Sequence, residues 1–203
     1  MGKFTGEFRA APWLPENATG LLDQLIQPEW NIVETGAGAS TFWLAARARI
    51  VTSFEHKPDW AEAVREELER RGLDKVAIIF HFTEYPRTGL DHSLRLVGIE
   101  KYDLALIDGR GRVRSIESVM PFIKPGGWIV LDNANRPRYE KAHQVLAAEG
   151  WKTCVIEGLI MPEKKRGFTQ FWRKPFVKAP LKAAEGHEKP AEPETDDGED
   201  KGA

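Results

Sequence analysis

The 203-residue sequence has one cysteine, little net charge and no long apolar run. The single cysteine, Cys154, excludes an internal disulfide, and its place in the apolar run TCVIEG predicts a buried strand residue. No run approaches the roughly 18–20 apolar residues of a membrane span, and the N-terminus lacks a signal-peptide core, so we expect a cytoplasmic protein without a membrane partner. The formal net charge is −2, whereas proteins that bind duplex DNA are usually basic, so nucleic acid is not an expected partner either.

The chain divides into one domain and a tail. With 41% hydrophobic residues, it is long enough for one well-buried core and too short for two. From Glu185 to Ala203 there are eight Asp or Glu against two Lys and no aromatic residue, so little apolar area can offset the ordering entropy. We assign residues 1–175 to a single domain and predict that residues 176–203 form a disordered acidic tail, a solubilising extension in preference to a partner-binding segment.

Apolar runs alternate with amphipathic segments along the domain. The predicted strands are 31–35, 51–55, 76–82, 102–108, 127–132, 152–157 and 169–173. The predicted helices are 17–27, 40–49, 58–71, 113–123 and 136–149. No helix joins the last two strands, so they should form an antiparallel hairpin. The pattern predicts an α/β fold with a doubly wound, seven-stranded sheet that is mostly parallel and ends in that hairpin.

Two glycines follow the first predicted strand, and an acid ends the second. Gly36 and Gly38 allow the backbone to approach a ligand closely, since glycine adopts turns that other residues avoid. Glu55 follows Gly36 by 19 positions, the spacing at which a carboxylate accepts hydrogen bonds from both ribose hydroxyls. The ligand should therefore contain a ribose.

The loop departs from the dinucleotide fingerprint G-x-G-x-x-G. Its third glycine is replaced by Thr41, after Ser40, which disfavours a pyrophosphate. Glu34, two residues before the first glycine, adds negative charge that would suit a sulfonium or an ammonium group. These features indicate a cationic cofactor.

Together, VETGAGAST, VTSFEH, YDLALIDG, IKPGGWIVLDN and FTQFWRK resemble the class I S-adenosylmethionine-dependent methyltransferases over residues 12–174. The resemblance implies a Rossmann-like fold and S-adenosylmethionine as cofactor. It implies that the first loop (Glu34, Gly36, Gly38, with Ser40 and Thr41) holds the methionine moiety and that Glu55 holds the ribose. His56 is a candidate adenosine contact, with an exposed loop histidine as the alternative. Glu84, in HFTEYP, is the candidate for the adenine, and Asp108 is a further cofactor candidate.

Candidate catalytic residues follow the fourth and fifth predicted strands. Asp108, Asp132 and Asn133 should meet at the carboxyl edge of the sheet, where open α/β sheets bind ligands. In the catechol-type O-methyltransferases, which these positions resemble, such residues hold Mg²⁺, and oxygen ligands suit that ion. That family usually has a lysine three residues after the first acid, and here the position is Gly111. The preferred interpretation is therefore that these side chains order loops or contact the cofactor, with a metal as the alternative.

Five arginines follow the same two strands. They are Arg110, Arg112, Arg114, Arg136 and Arg138. They could converge at one mouth of the sheet and bind a carboxylate or a phosphate, or they could be solvated charges on exposed loops. Arg110 is the candidate for a catalytic role. We predict a methyltransferase that acts on an oxygen or nitrogen of a small, anionic molecule. The alternatives are an NAD-dependent oxidoreductase and a non-catalytic S-adenosylmethionine-binding module.

Overall fold

The computed structural model describes residues 7–81 and 89–176. Its strands are β1 (Asn31–Thr35), β2 (Ile50–Glu55), β3 (Ala77–His81), β4 (Tyr102–Ile107), β5 (Ile123–Asp132), β6 (Lys152–Ile160) and β7 (Lys165–Arg173). Its helices are α1 (Glu16–Leu25), α2 (Ala39–Ala45), α3 (Pro58–Arg70), α4 (Asp91–Leu96), α5 (Arg112–Val119) and α6 (Glu140–Ala148), with 3-10 turns at Met120–Phe122 and Pro137–Tyr139. Within the described ranges, no helix is long and apolar enough to cross a bilayer.

All seven strands form one sheet, in the order β3-β2-β1-β4-β5-β7-β6. Strands β1 to β5 are parallel, and β7 is antiparallel to both β5 and β6. This confirms the predicted fold, because the short 161–164 turn between β6 and β7 allows only a hairpin. The strand order reverses between β1 and β4, which opens a crevice at their carboxyl ends.

The two faces of the sheet carry separate hydrophobic cores. Neighbouring residues of β1 belong to opposite cores, since strand side chains alternate between the faces. Ile32 is fully buried in the core that includes Leu22 of α1 and Leu68 of α3. Val33 is fully buried in the core that includes Ile116 of α5 and Leu146 of α6. Helices on both faces therefore hold the carboxyl ends of β1 and β4 in a fixed position.

One helix was not predicted, and the bounds of several elements differ from the sequence prediction, including β5, β6, β7 and α2. Helix α4 was not predicted, because six residues offer only one helical spacing of buried apolar residues, Leu90 and Leu94. Strand β5 begins at Ile123 and not at residue 127, since Ile123 is buried and pairs with Tyr102 across a register shift. Residues 82–88, which include the end of the third predicted strand and Glu84, lie outside the described residues, as does the predicted tail beyond Phe176.

Cys154 is exposed, so the prediction that it is buried was wrong. It lies in β6, one of the two edge strands of the sheet, which has β7 as its one neighbour among the described strands. The residues from Lys152 to Val155 are all exposed. An apolar run at a sheet edge can thus remain uncovered, and the sequence alone does not distinguish it from a central strand.

Candidate active site

The loop after β1 lies directly against the loop after β4. Gly36 has a φ of +88°, which side-chain-bearing residues rarely adopt, and a Cβ at Gly36 would lie 2.7 Å from the Gly109 nitrogen. The Gly36 N–H donates to the Phe54 carbonyl at 2.9 Å, and the Asp108 N–H donates to the Thr35 carbonyl at 3.0 Å. Glycine is therefore required at position 36 for both conformation and space.

Glu34 is completely buried beneath this loop. One carboxylate oxygen accepts a hydrogen bond from the Ser40 hydroxyl, and the other accepts from the Thr41 and Ser53 hydroxyls, each at 2.6 Å. Burial raises the pKa of Glu34 to about 7, although the three hydroxyls oppose that rise. The structure thus shows Glu34, Ser40 and Thr41 ordering the loop from below, away from the cleft surface.

The glycine loop is further held by α2 and α3. The Gly38 N–H donates to the Thr41 hydroxyl at 2.9 Å, which links it to the same buried network. From α3, the Trp60 indole donates to the Ala37 carbonyl at 2.6 Å, and the ring would lie 3.7 Å from a Cβ on Gly38. Trp60 lines the cleft. Trp60 was not predicted as a site residue, and its position five residues after Glu55 was the available signal.

Glu55 ends β2 and is only 4% exposed, yet it lines the cleft. Its Oε1 accepts a hydrogen bond from the Lys57 N–H at 2.8 Å and lies 2.9 Å from the His56 Nδ1. Partial burial is the main effect that lowers the pKa of His56, against the opposing charge of Glu55. We therefore treat His56 as neutral near pH 7, with one ring nitrogen oriented by Glu55.

A cleft of about 930 Å³ opens at the carboxyl ends of β1, β2 and β4. Of the predicted site residues, it is lined by Gly36, Glu55, His56, Asp108 and Arg110. Glu34, Gly38, Ser40, Thr41, Asp132 and Asn133 support its walls and are not among the residues that line it. Glu84 falls outside the described residues. Lys57 and Tyr139 also line the cleft, and the sequence analysis did not identify them.

Arg112, the first residue of α5, joins the ends of β4 and β5. Its side chain is 8% exposed, and its Nη2 donates to the Asp108 Oδ1 at 2.6 Å. Its Nη1 lies 3.4 Å from the Asp132 Oδ2, whose side chain is 3% exposed. Burial, followed by the negative charge of Asp132, raises the pKa of Asp108 to about 8, although Arg112 opposes the shift. Arg112 and Asp132 are thus buried behind the cleft, whereas the Asp108 side chain, 32% exposed, faces into it.

The main chain fixes the same guanidinium. Nε donates to the Gly109 carbonyl at 3.0 Å, Nη2 to the Asp108 carbonyl at 2.6 Å, and Nη1 to the Asp132 carbonyl. The Arg112 Cζ also lies 5.6 Å from the centre of the Tyr139 ring. Every nitrogen of the side chain is therefore engaged. In the sequence, the only signal of the Arg112–Asp108 ion pair was the spacing of four residues between them.

Asn133 follows Asp132 in a left-handed conformation, with φ of +52°. Its amide nitrogen donates to the Asp132 Oδ2, and its side-chain oxygen accepts a hydrogen bond from the Arg136 Nη2. Asp132 and Asn133, the pair predicted at the end of β5, thus contact each other and their own loop. The Asn133 side-chain oxygen could be a ligand for a hard cation such as Mg²⁺, but it accepts a hydrogen bond from the Arg136 guanidinium.

All five arginines singled out in the sequence line the cleft. Arg110, Arg114 and Arg138 are exposed, and Arg136 is half-buried. The Arg138 Cζ lies 5.0 Å from the Tyr139 ring centre, so Tyr139 contacts both Arg138 and Arg112. One cleft therefore contains all five arginines, and three of them are also exposed charges, as the alternative interpretation expected.

A family model described as a methyltransferase domain matches residues 33–134, half of the 203-residue chain. The chain belongs to this methyltransferase family. The matched segment begins in β1 and ends just after β5, so it contains the glycine loop, Glu55 and both acids of the Arg112 cluster. The resemblance of the sequence to the class I S-adenosylmethionine-dependent methyltransferases is thereby confirmed, and the protein is an enzyme of that class.

Solved structures of methyltransferases share the fold of this methyltransferase. The O-methyltransferase of tomaymycin synthesis from Streptomyces achromogenes, solved with S-adenosylmethionine, is 19% identical with a TM-score of 0.64, covering 76% of this chain and 77% of its own. The Bacillus cereus O-methyltransferase, solved with S-adenosylhomocysteine, is 24% identical with a TM-score of 0.61, and the match covers 76% of this chain and 78% of the Bacillus protein. Precorrin-6y C5,15-methyltransferase from Geobacter metallireducens is 19% identical with a TM-score of 0.62, covering 86% and 98%. No curated protein sequence matches this chain.

Proposed function

We propose that this methyltransferase binds S-adenosylmethionine in the 930 Å³ cleft and transfers its methyl group to an oxygen of a small anionic acceptor. One observation carries the proposal, namely the distribution of charge around the cleft. Glu55 lies at the end of β2, whereas the five arginines lie on the segments that follow β4 and β5. The cofactor and an anion can therefore occupy opposite sides of one opening.

The β1 and β2 side suits the cofactor. Gly36 lets a ligand approach the main chain, and Glu55 has a carboxylate held by the Lys57 N–H at a position suited to ribose hydroxyls. The methyl group is already activated on the sulfonium, so the protein must mainly align donor and acceptor, which can contribute several kcal/mol. Buried Glu34 lies beneath the same loop and favours a cation above it.

The β4 and β5 side suits an anion. Five of the six Lys or Arg side chains that line the cleft follow β4 or β5, and three of these, Arg110, Arg114 and Arg138, are exposed. Among the described residues, the one acid on that side of the cleft is Asp108. A planar guanidinium can bind a carboxylate or phosphate with two parallel hydrogen bonds. We therefore propose a carboxylate-bearing or phosphate-bearing acceptor, with nitrogen methylation as the second candidate.

Asp108 is suited to receive the proton that the acceptor hydroxyl loses. In the transfer, the S–CH3 bond breaks, an O–CH3 bond forms, the sulfur becomes a neutral thioether, and the proton passes to the Asp108 carboxylate. Burial raises the pKa of Asp108 to about 8, so its carboxylate is a stronger base than that of an ordinary Asp. The transfer rate should therefore rise as the pH increases through about 8.

Calorimetry and turnover test the proposal. The protein should bind S-adenosylmethionine and S-adenosylhomocysteine but not NAD. Formation of S-adenosylhomocysteine should be faster with hydroxybenzoic acids than with their uncharged amides, or with phosphorylated alcohols than with their unphosphorylated forms. Equal turnover of charged and uncharged members of both pairs would contradict the anionic acceptor. Binding of S-adenosylmethionine without turnover of any class of acceptor would favour the non-catalytic alternative.

A further inference from the structure

Asp108, which follows β4, and Asp132, which ends β5, invite comparison with a divalent-metal site, but most of their side-chain oxygens already accept hydrogen bonds. Asp108 Oδ1 accepts from Arg112 at 2.6 Å, and Asp132 Oδ2 lies 3.4 Å from Arg112 and also accepts from the Asn133 amide. The remaining Asp132 oxygen accepts from the Thr169 hydroxyl at 3.2 Å. The third donor of such a site, the Asn133 side-chain oxygen, accepts from Arg136.

These side chains therefore do not fit a metal. Mg²⁺ requires several oxygen ligands around a nearly octahedral centre, and here the space between the two acids contains a guanidinium. Among residues 7–81 and 89–176, no group of three or more His, Cys, Asp or Glu is arranged to hold a metal ion. A divalent ion would also have to approach the permanent positive charge of Arg112 and the neighbouring Arg136.

We infer that Arg112 is a built-in cation at this site and that the site therefore takes no divalent metal. The guanidinium neutralises the acid pair from a fixed position, since it is 8% exposed and donates to three main-chain carbonyls as well as to both carboxylates. Arg112 is thus a positioning residue, which holds Asp108 at the cleft and keeps Asp132 behind it. The inference concerns the site of the proposed function but does not depend on the identity of the acceptor.

The first test uses the full-length wild-type chain and Mn²⁺, a paramagnetic substitute for Mg²⁺. Electron paramagnetic resonance should detect no binding at this site with a Kd below about 1 mM. S-adenosylmethionine affinity, measured by calorimetry, should be the same in EDTA and in Mg²⁺. Tighter Mn²⁺ binding that Asp132→Asn abolishes would overturn the inference, and this result does not depend on any Arg112 variant folding.

The second test removes the guanidinium. Arg112→Met keeps an unbranched apolar stem but leaves Asp108 and Asp132 without their cation, so it should bind Mn²⁺ at least about tenfold more tightly than wild type. Mn²⁺ should raise the melting temperature of this variant and not that of wild type. Adding Asp132→Asn should remove both effects. A folded Arg112→Met chain that gains no Mn²⁺ affinity would count against the assignment of Arg112 as the occupant of a cation site.

Arg47→Met is the matched control. Arg47 also pairs with a carboxylate, Asp23, at 2.7 Å, but the pair is exposed and distant from the cleft. This variant should bind no more Mn²⁺ than wild type does. A gain equal to that of Arg112→Met would mean that loss of any arginine from an acid creates a weak cation site, and the inference would fail. None of these measurements depends on methyl transfer. Their outcome is therefore the same whether or not the proposed anionic acceptor is the correct one.

Discussion

Gly36 and Gly109 lie in contact at the crossing of the loops that follow β1 and β4, so close that a Cβ on Gly36 would be 2.7 Å from the Gly109 nitrogen. This contact places the loop that follows β1 beside Asp108, which follows β4. The two halves of the cleft are therefore joined by main-chain atoms, and any side chain at Gly36 must separate them.

Gly36→Ala should destabilise the fold by about 2–4 kcal/mol, because alanine meets both an unfavourable positive φ and a main-chain clash. Urea unfolding would measure the loss. Gly20→Ala is the control, since Gly20 is exposed in α1 and a Cβ there meets nothing within 4 Å. That change should stabilise the protein by about 0.5–1 kcal/mol through helix propensity. Similar changes in the free energy of unfolding for Gly36→Ala and Gly20→Ala would show that the contact with Gly109 does not require glycine at position 36.

Glu55→Ala should weaken S-adenosylmethionine binding by about 1.5–3 kcal/mol, the cost of losing a charged hydrogen-bond partner. Calorimetry at constant pH would measure the change, and circular dichroism would confirm that the variant folds. Glu62→Ala provides a comparison, because Glu62 is an exposed acid of α3 that pairs with Arg65. Unchanged affinity in folded Glu55→Ala would remove Glu55 from the cofactor site.

Replacing Arg110 and Arg138 together by methionine should raise the KM for an anionic acceptor by at least about tenfold, since two exposed cations of the cleft are lost. S-adenosylmethionine affinity should change little, because the cofactor is expected on the β1 and β2 side. The matched control is Arg95→Met, which removes an arginine of α4 that stacks on Phe122 away from the cleft. An unaltered KM for the double variant would show that these arginines do not select the acceptor.

Glu34 should make stability fall as the pH rises from about 4.5 to 7. Its pKa is raised by burial from 4.5 to about 7, so in this range the folded state holds a proton that the unfolded state has lost. The stability from this group is complete below pH 4.5 and declines by about 3 kcal/mol by pH 7.

Urea unfolding of wild type and Glu34→Gln at pH 5 and pH 7.5 would measure that decline. Glu34→Gln has no titrating group at this position, so this group makes no pH-dependent contribution to its free energy of unfolding. As the pH rises from 5 to 7.5, wild type should therefore lose stability relative to Glu34→Gln. A difference that is independent of pH would show that Glu34 is ionised in the folded protein throughout the range.

Removal of residues 177–203 should leave the melting temperature and the cofactor affinity nearly unchanged. The stretch from Glu185 onward has eight acids, two lysines and no aromatic residue, so it has little apolar surface for packing. Differential scanning calorimetry of the full and shortened chains would detect a contribution. A drop of several degrees would assign this segment to the folded domain.

The sequence predicted the features that depend on local patterns. Gly36 after a buried strand and Glu55 at the end of the next were identified from spacing alone, and both line the cleft. The terminal hairpin followed from the lack of a helix between β6 and β7. In each case the feature is determined by chain connectivity and by residues close together in sequence.

The sequence did not predict contacts that depend on how side chains turn in three dimensions. Arg112 was grouped with four other arginines of the cleft, because composition does not show that its side chain folds back over the strand ends. Tyr139 enters the cleft through the 3-10 turn before α6, where no regular periodicity applies. Cys154 was wrongly predicted as buried because strand order, which puts β6 at the edge, follows from the whole fold.

The guanidinium of Arg112 is held more by main-chain atoms than by the acids that it neutralises. Three of its five hydrogen bonds go to the carbonyls of Asp108, Gly109 and Asp132. A carbonyl oxygen is present whatever side chain occupies the position, so a change of either acid leaves most of this anchoring in place. Asp132, which does not line the cleft, can therefore change in descendants of this chain while the arginine stays at the strand ends.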